Sequence, residues 1–429
     1  MRGQNIGHGE KPNQTEDLGG QGSLAPPAAV SPETRLLSAF KKDTEDRKVD
    51  LARTEYFSEE GKTFEFRIVE KIKKQLSMHP TYGPECSSDL GLTEFTRRVT
   101  EVTLGKSARA LMESKVLGVL TTGFTAAVHL GASLLEHWSI YVSWNSIYCT
   151  CCPGPSVDSV ARIFQSAGVP DIRYYHYWDN KRCCICLENL LADLEKAPEN
   201  SVVVLSASAH YPTGADLSQD HWYLIANLIM RRKLFSFFLL PFHGLCYGDL
   251  QRDAWPVQHF ESKGMEFFCA QSLSHSFGLS GDPLGHLLCV SKRKSRLSSL
   301  KLEAADLVTS LCEAPSAGGV YVVTAVLSNP AHCAGWQTEV KNVVSRCMLI
   351  RYMLREKLRL LGNPSCWNHL TQQRGLFCYI GLNAHQVEFL SAVRHVYLLP
   401  DGCLNVSAIN GNNLDYISES IHLALTVSP

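Results

Sequence analysis

Seven short apolar runs, spaced by amphipathic stretches, constrain this chain more than any other feature. They are Gly118–Gly123, Ser139–Trp144, Ile172–Trp178, Ser201–Ser208, Leu234–Phe242, Met265–Ser274 and Gly285–Ser291. Several, such as Phe235-Ser236-Phe237-Phe238-Leu239, are apolar nearly throughout instead of alternating, the pattern of strands covered on both faces. Between them, Val157–Gly168 and Ser218–Arg232 carry helical spacing. Strand and helix in alternation predict a mostly parallel sheet with helices on both faces, an α/β fold. In such sheets ligands sit beyond the C-terminal ends of strands.

The texture changes towards the C-terminus. From about Pro330 to Leu361, apolar residues recur at spacings of three and four (Val340, Val343, Cys347, Ile350, Leu354, Leu358), which predicts one long helix. Gly362, Asn363 and Pro364 end it, and its last turns are rich in Arg and Lys, as suits a helix C-terminus. Beyond it Gly375–Gly381, Val396–Leu399 and Leu404–Ile409 read as strands, and about Asn413 to Val427 as a closing helix. A smaller α+β unit is expected there. With 429 residues the chain exceeds one small core.

Charge excludes some partners. With 41 Lys+Arg against 42 Asp+Glu, no excess points to nucleic acid or to an anionic membrane surface. No run of about 18 apolar residues predicts a membrane span. Residues 1–27 are rich in Gly, Gln and Pro, lack the apolar stretch of a secretory signal, and read as a flexible extension. Sixteen cysteines in a large chain of this kind are expected to be reduced thiols, which points to the cytoplasm. Cys149, Cys151, Cys152 and Cys183, Cys184, Cys186 lack the spacing of paired zinc ligands, so no metal is expected.

Two segments could carry chemistry. In Phe267 through Gly278 an apolar strand ends in hydroxyl residues, one imidazole (His275) and a glycine. His275 there is either a satisfied structural side chain or a proton carrier or ligand. Ala209-His210-Tyr211-Pro212-Thr213-Gly214 follows another strand and is first of all a turn signal. No phosphate-binding glycine loop, nucleophile elbow or HExxH motif is present.

At these residues the chain resembles the cytoplasmic aspartate aminotransferases, fold-type I pyridoxal-phosphate enzymes. The resemblance covers about Ala25 to Val427. It rests on Asp46 to Leu51, Pro212-Thr213-Gly214, Gly264 through Gly278, Trp367-Asn368-His369, Gly381-Leu382-Asn383, His395 to Pro400 and Asn413 to Tyr416 taken together. It implies a large domain with a mostly parallel seven-stranded sheet sandwiched by helices, and a smaller α+β domain built from both chain ends. The boundaries expected are 28–65 and 336–429 for the small domain and 66–335 for the large one. It also implies a homodimer, pyridoxal 5'-phosphate, and transfer of an amino group between L-aspartate and 2-oxoglutarate.

Carried over residue by residue, the resemblance implies a damaged site. His275 stands where the family's Schiff-base lysine belongs, and an imidazole cannot form the imine that a primary amine forms. Pro283 stands for the arginine on the cofactor phosphate, and Leu239 for the aspartate on the pyridine nitrogen. Phe242 and Tyr211 stand for the two partners of the ring oxygen. In the phosphate cradle Gly123 is substituted and Thr125 retained, and Ser272 is retained too. Cys86 stands for the tyrosine that reaches the phosphate across the dimer. Cys403 and Thr309 stand for the two arginines that grip the substrate carboxylates. The tryptophan that stacks on the ring falls in Trp144–Val157, read as an inserted stretch, and has no assigned counterpart. Losing the phosphate arginine and the buried charge pair together removes ~4–6 kcal/mol of cofactor affinity. The expectation is therefore a catalytically impaired homologue. The alternative is an active pyridoxal-phosphate enzyme of altered chemistry, such as racemisation of aspartate.

Overall fold

The computed structural model describes residues 32–78, 90–138, 147–151, 158–279, 281–311, 317–362 and 367–427. Its centre is a seven-stranded sheet of β1 (Val116–Thr121), β2 (Ile147–Cys151), β3 (Ile172–His176), β4 (Val202–Ser206), β5 (Phe235–Leu240), β6 (Phe267–Ser272) and β7 (Gly285–Val290). The strand order is β1-β7-β6-β5-β4-β2-β3. Adjacent strands from β3 to β6 pair in parallel, whereas β7 runs antiparallel to both of its neighbours, β1 and β6.

The continuous apolar runs have a direct explanation. Phe235, Phe237 and Leu239 of β5 face one buried cluster, and Phe238 and Leu240 face the cluster on the other side of the sheet. Each such side chain taken from water contributes about 1.5–3 kcal/mol, so both faces must be covered. One cover is helix α1 (Phe124–Trp138), which crosses β6 and β7. It lies so close that a Cβ on Gly131 would stand 2.6 Å from the Phe237 ring. Helix α2 (Lys294–Leu311) packs beside it.

Helix α3 (Pro330–Leu360) is the predicted long helix, started by Asn329, whose side chain accepts from the amides of Ala331 and His332. It carries the third cluster, which joins Trp336, Val340, Val343, Ile350 and Leu354 to Leu51, Phe66, Phe377 and Leu404. Two small strands, β8 (Phe377–Tyr379) and β9 (Cys403–Asn405), pair antiparallel. Val49–Asp50 pairs in parallel with Val396–Tyr397, bringing the two ends of the described chain together. Helix α4 (Leu414–Val427) closes the chain.

Some expectations need correction. The strand expected at Ser139–Trp144 lies outside the described residues. The sheet position between β3 and β4 is held by Ile147–Cys151, inside the stretch taken as an insertion. The run Ile172–Trp178 is not one strand: β3 ends at His176, and Trp178–Asp179 forms a separate hairpin with Cys184–Ile185. Leu404–Ile409 is a strand only to Asn405. There the Asn405 side chain accepts from the amide of Ser407 at 3.0 Å and starts a short 3-10 turn, Val406–Ala408.

Candidate active site

A cavity of about 430 Å³ opens beyond the C-terminal ends of β1 and β6. Hydroxyl residues at or just beyond both strand ends reach it. Thr122, Gly123, Phe124 and Thr125 line it where β1 gives way to α1, and Ser272, Ser274 and His275 line it after β6. Thr54 to Tyr56 with Thr63, Phe64 and Phe66 close the opposite side, with Asp282 and Pro283 from the loop before β7.

The turn carrying His275 is built to hold still. The Ser274 hydroxyl donates to the Asp282 carbonyl at 2.8 Å and accepts from the Leu284 amide at 2.7 Å. Ser276 donates to the His243 carbonyl at 2.7 Å, and the Trp336 indole donates to the Ser276 carbonyl at 2.8 Å. Phe277 stacks on Trp336 at 4.2 Å. Gly278 then turns the chain at φ +60°, a conformation that favours glycine.

The His275 ring has no hydrogen-bond partner among the described residues. The Phe242 ring lies 5.0 Å from it, and Phe242 in turn contacts Phe377 at 5.8 Å. Burial holds its pKa below the ordinary histidine value, and the Glu55 carboxylate opposes that shift. The ring is therefore neutral at pH 7 and offers one N–H and one free nitrogen.

The structure brings together some of the residues singled out from sequence and separates others. His275, Ser272, Gly123, Thr125 and Pro283 all line the cavity. Gly123, at φ +95°, faces Pro283 closely, since a Cβ on it would stand 3.3 Å from the proline Cβ. Leu239 does not line the cavity: it is buried at the end of β5, between Ser206 and Ala270 of the flanking strands. Tyr211 turns its ring to Phe377 at 4.9 Å. Cys403 is buried on β9 and its thiol donates to the Pro212 carbonyl at 3.0 Å. Burial pushes that thiol well above its usual range, so it is no anion. Thr309 is exposed on α2, where its hydroxyl donates to the Ala305 carbonyl. Cys86 lies outside the described residues. Glu55 and Asp282 line the cavity and carry no sequence motif; only Asp282, next to Pro283, had a neighbour that could have pointed to it.

No lysine or arginine lines the cavity among the described residues. Nor does any group of three His, Cys, Asp or Glu side chains come together there as a metal site among them.

Residues 119–421 match the family "Aminotransferase class I and II". The cytoplasmic aspartate aminotransferase of Gallus gallus is 36% identical over 406 residues, 94% of this chain and 97% of that protein. The structure of the aspartate aminotransferase from Saccharomyces cerevisiae cytoplasm superimposes with a TM-score of 0.88 at 26% identity, covering 95% of this chain and 98% of the other. An aromatic-amino-acid aminotransferase from Burkholderia pseudomallei, covalently bound to pyridoxal phosphate, gives a TM-score of 0.87 at 26% identity over 95% and 100% of the two chains. With its sheet, its crevice and these likenesses, the chain belongs to the class I and II aminotransferases, in the family of the cytoplasmic aspartate aminotransferases.

Proposed function

We propose that this chain is an aspartate aminotransferase homologue in which transamination of L-aspartate and 2-oxoglutarate has been lost and the crevice is kept as a binding site. One observation carries the reading: an imidazole, His275, stands at the cavity wall after β6, and no lysine lines the cavity among the described residues.

The residues present do not fit pyridoxal phosphate as the family uses it. Covalent attachment needs a primary amine, and the described lining offers none. A protonated ring nitrogen needs an anion, and the residue at that position is Leu239, buried among strands. A phosphate fork needs a guanidinium, and Pro283 has no donor. What remains is the Thr125 and Ser272 hydroxyls and the first turn of α1, whose dipole favours an anion. His275 can still take or give one proton at a ring nitrogen.

The experiment is an absorbance titration of purified protein with pyridoxal phosphate, followed by borohydride reduction and peptide mass spectrometry. Scattered surface adducts or none support the reading. A single lysine adduct mapped to the crevice overturns it and favours an active enzyme of altered chemistry. The homodimer of the family is part of the proposal, and light scattering on the eluting protein tests it. Cytoplasmic residence is likewise proposed. Among the described residues no helix is long and apolar enough to cross a membrane.

A further inference from the structure

The cavity lining carries a charge statement of its own. A phosphate dianion with a dicarboxylate calls for cations, because anions taken out of water must be paired. Here the ionised groups on the described lining are two carboxylates, Glu55 and Asp282. Glu55 lies near enough to His275 to act on its titration. It is held from outside by Arg53, with nitrogen–oxygen distances of 3.0 and 3.3 Å, and Arg53 is not part of the lining. That pair is solvent-exposed, so it is screened and leaves the carboxylate able to share a second donor. Asp282 is in no ion pair among the described residues.

The other polar groups facing the space are mostly hydroxyls, among them Thr54, Thr63, Thr125 and Ser272. Hydroxyls both donate and accept, and they match the hydroxyls of a neutral or cationic ligand. His275, neutral and without a hydrogen-bond partner among the described residues, adds one donor and one acceptor. Phe64, Phe66 and Phe124 supply apolar walls. The volume, about 430 Å³, holds one ring with its substituents. Against this stands the start of α1, which draws negative charge. A helix end amounts to about half a charge, less than either carboxylate.

We propose that the crevice takes a small hydroxylated amine without a phosphate group, its ammonium set against Glu55 and Asp282, in place of a phosphate and a dicarboxylate. This rests on the reading of the crevice as a non-catalytic binding site.

Pyridoxamine and pyridoxamine 5'-phosphate test it, because the two differ only in the phosphate. Neither carries an aldehyde, so neither can be trapped on a lysine, and the result is independent of the adduct experiment above. Calorimetric titration of the full chain is expected to show pyridoxamine binding at least about tenfold more tightly than its phosphate. Maleate, a bare dicarboxylate, is expected not to displace it. Asp282→Asn and Glu55→Gln should each weaken pyridoxamine binding by about tenfold with an unchanged melting temperature. The proposal is overturned by tighter binding of the phosphate, by equal binding of the two, by no binding of either at millimolar concentration, or by insensitivity to both substitutions. A crevice lysine adduct would sink the non-catalytic reading while leaving the amine preference to be read separately.

Discussion

At the scale of single residues, replacing an amine by an imidazole removes one reaction and keeps another. His275 cannot hold a carbonyl group covalently but can move a proton. Under the proposed function, placing an amine at this position should therefore give attachment without turnover. In His275→Lys, borohydride after pyridoxal phosphate should fix an adduct at position 275. Transfer between aspartate and 2-oxoglutarate should still fall short by at least about a thousandfold, because Pro283, Leu239 and Cys403 remain. Mass spectrometry and a coupled oxaloacetate assay read the two halves. Leu239→Asp, by contrast, should damage the fold. It buries a carboxylate between Ser206 and Ala270, neither of which carries a charge, at a cost of about 3–5 kcal/mol in urea unfolding. An unchanged midpoint would show that the position reaches water or a cation. That His275 and Pro283 share one wall of the cavity was legible in the sequence because one tight block, from the end of β6 to the start of β7, holds both; Gly123 lies far from them in sequence, at the turn from β1 into α1. Glu55 was not legible in this way. Its closeness to His275 comes from the tertiary fold, and a carboxylate in an irregular segment has no period to betray it.

At the scale of elements, the sheet was legible wherever a strand is apolar on both faces, as β5 and β6 are. Strand β2 was passed over because Ile147-Tyr148-Cys149-Thr150-Cys151 alternates and follows a more apolar run. The end of β9 was misread because Asn405 turns the chain with its side chain, a local bond that hydrophobicity does not report. The joint between α3 and β8 was not legible at all. Arg351 is fully buried, and its guanidinium donates to the carbonyls of Leu370, Arg374, Gly375 and Phe377. Arg351→Met should leave those carbonyls without a donor and cost about 3–5 kcal/mol in urea unfolding, with amide exchange at Phe377–Tyr379 accelerated first. Gly131→Ala tests the close approach of α1 to the Phe237 ring of β5. A methyl 2.6 Å from the Phe237 ring must displace it, and a loss of about 1–3 kcal/mol is expected despite the better helix propensity of alanine. If the variant gains stability, the helix has room to move that the packing does not show.

At the scale of the whole molecule, buried titratable groups set how stability follows pH, and two sets oppose each other. Burial holds His210 and His286 near pKa 3 and His243 near 4. Below about 6.5 the unfolded chain takes up these three protons and the native chain does not, so stability falls as pH drops from there towards 4. Burial also raises Asp216 to about 6 and Asp253 to about 8. The native state holds these protons while the unfolded state has released them, so this contribution is whole below about 4 and is lost as pH rises from there, to about 6 for Asp216 and to about 8 for Asp253. At pH 5 the unfolded chain binds roughly three of the five protons in question and the native chain roughly two. The net slope is then about one proton, or about 1.4 kcal/mol lost per unit of further acidification. Near pH 7 the balance is close to zero and tips slightly the other way, which puts the maximum near pH 6.5 for these five groups. His286 is the cleanest place to test this. It sits in β7 against Phe95 with both ring nitrogens unpartnered among the described residues. A leucine of similar size gives up nothing that the imidazole bonds. His286→Leu should remove about 2 kcal/mol of the stability loss between pH 7 and pH 5, the linkage of one proton over the 1.5 units below pH 6.5. Urea unfolding of both proteins at the two pH values measures it. An equal pH dependence in the two would mean that His286 is protonated or solvated in the native state, and the acid limb would then belong to His210 and His243.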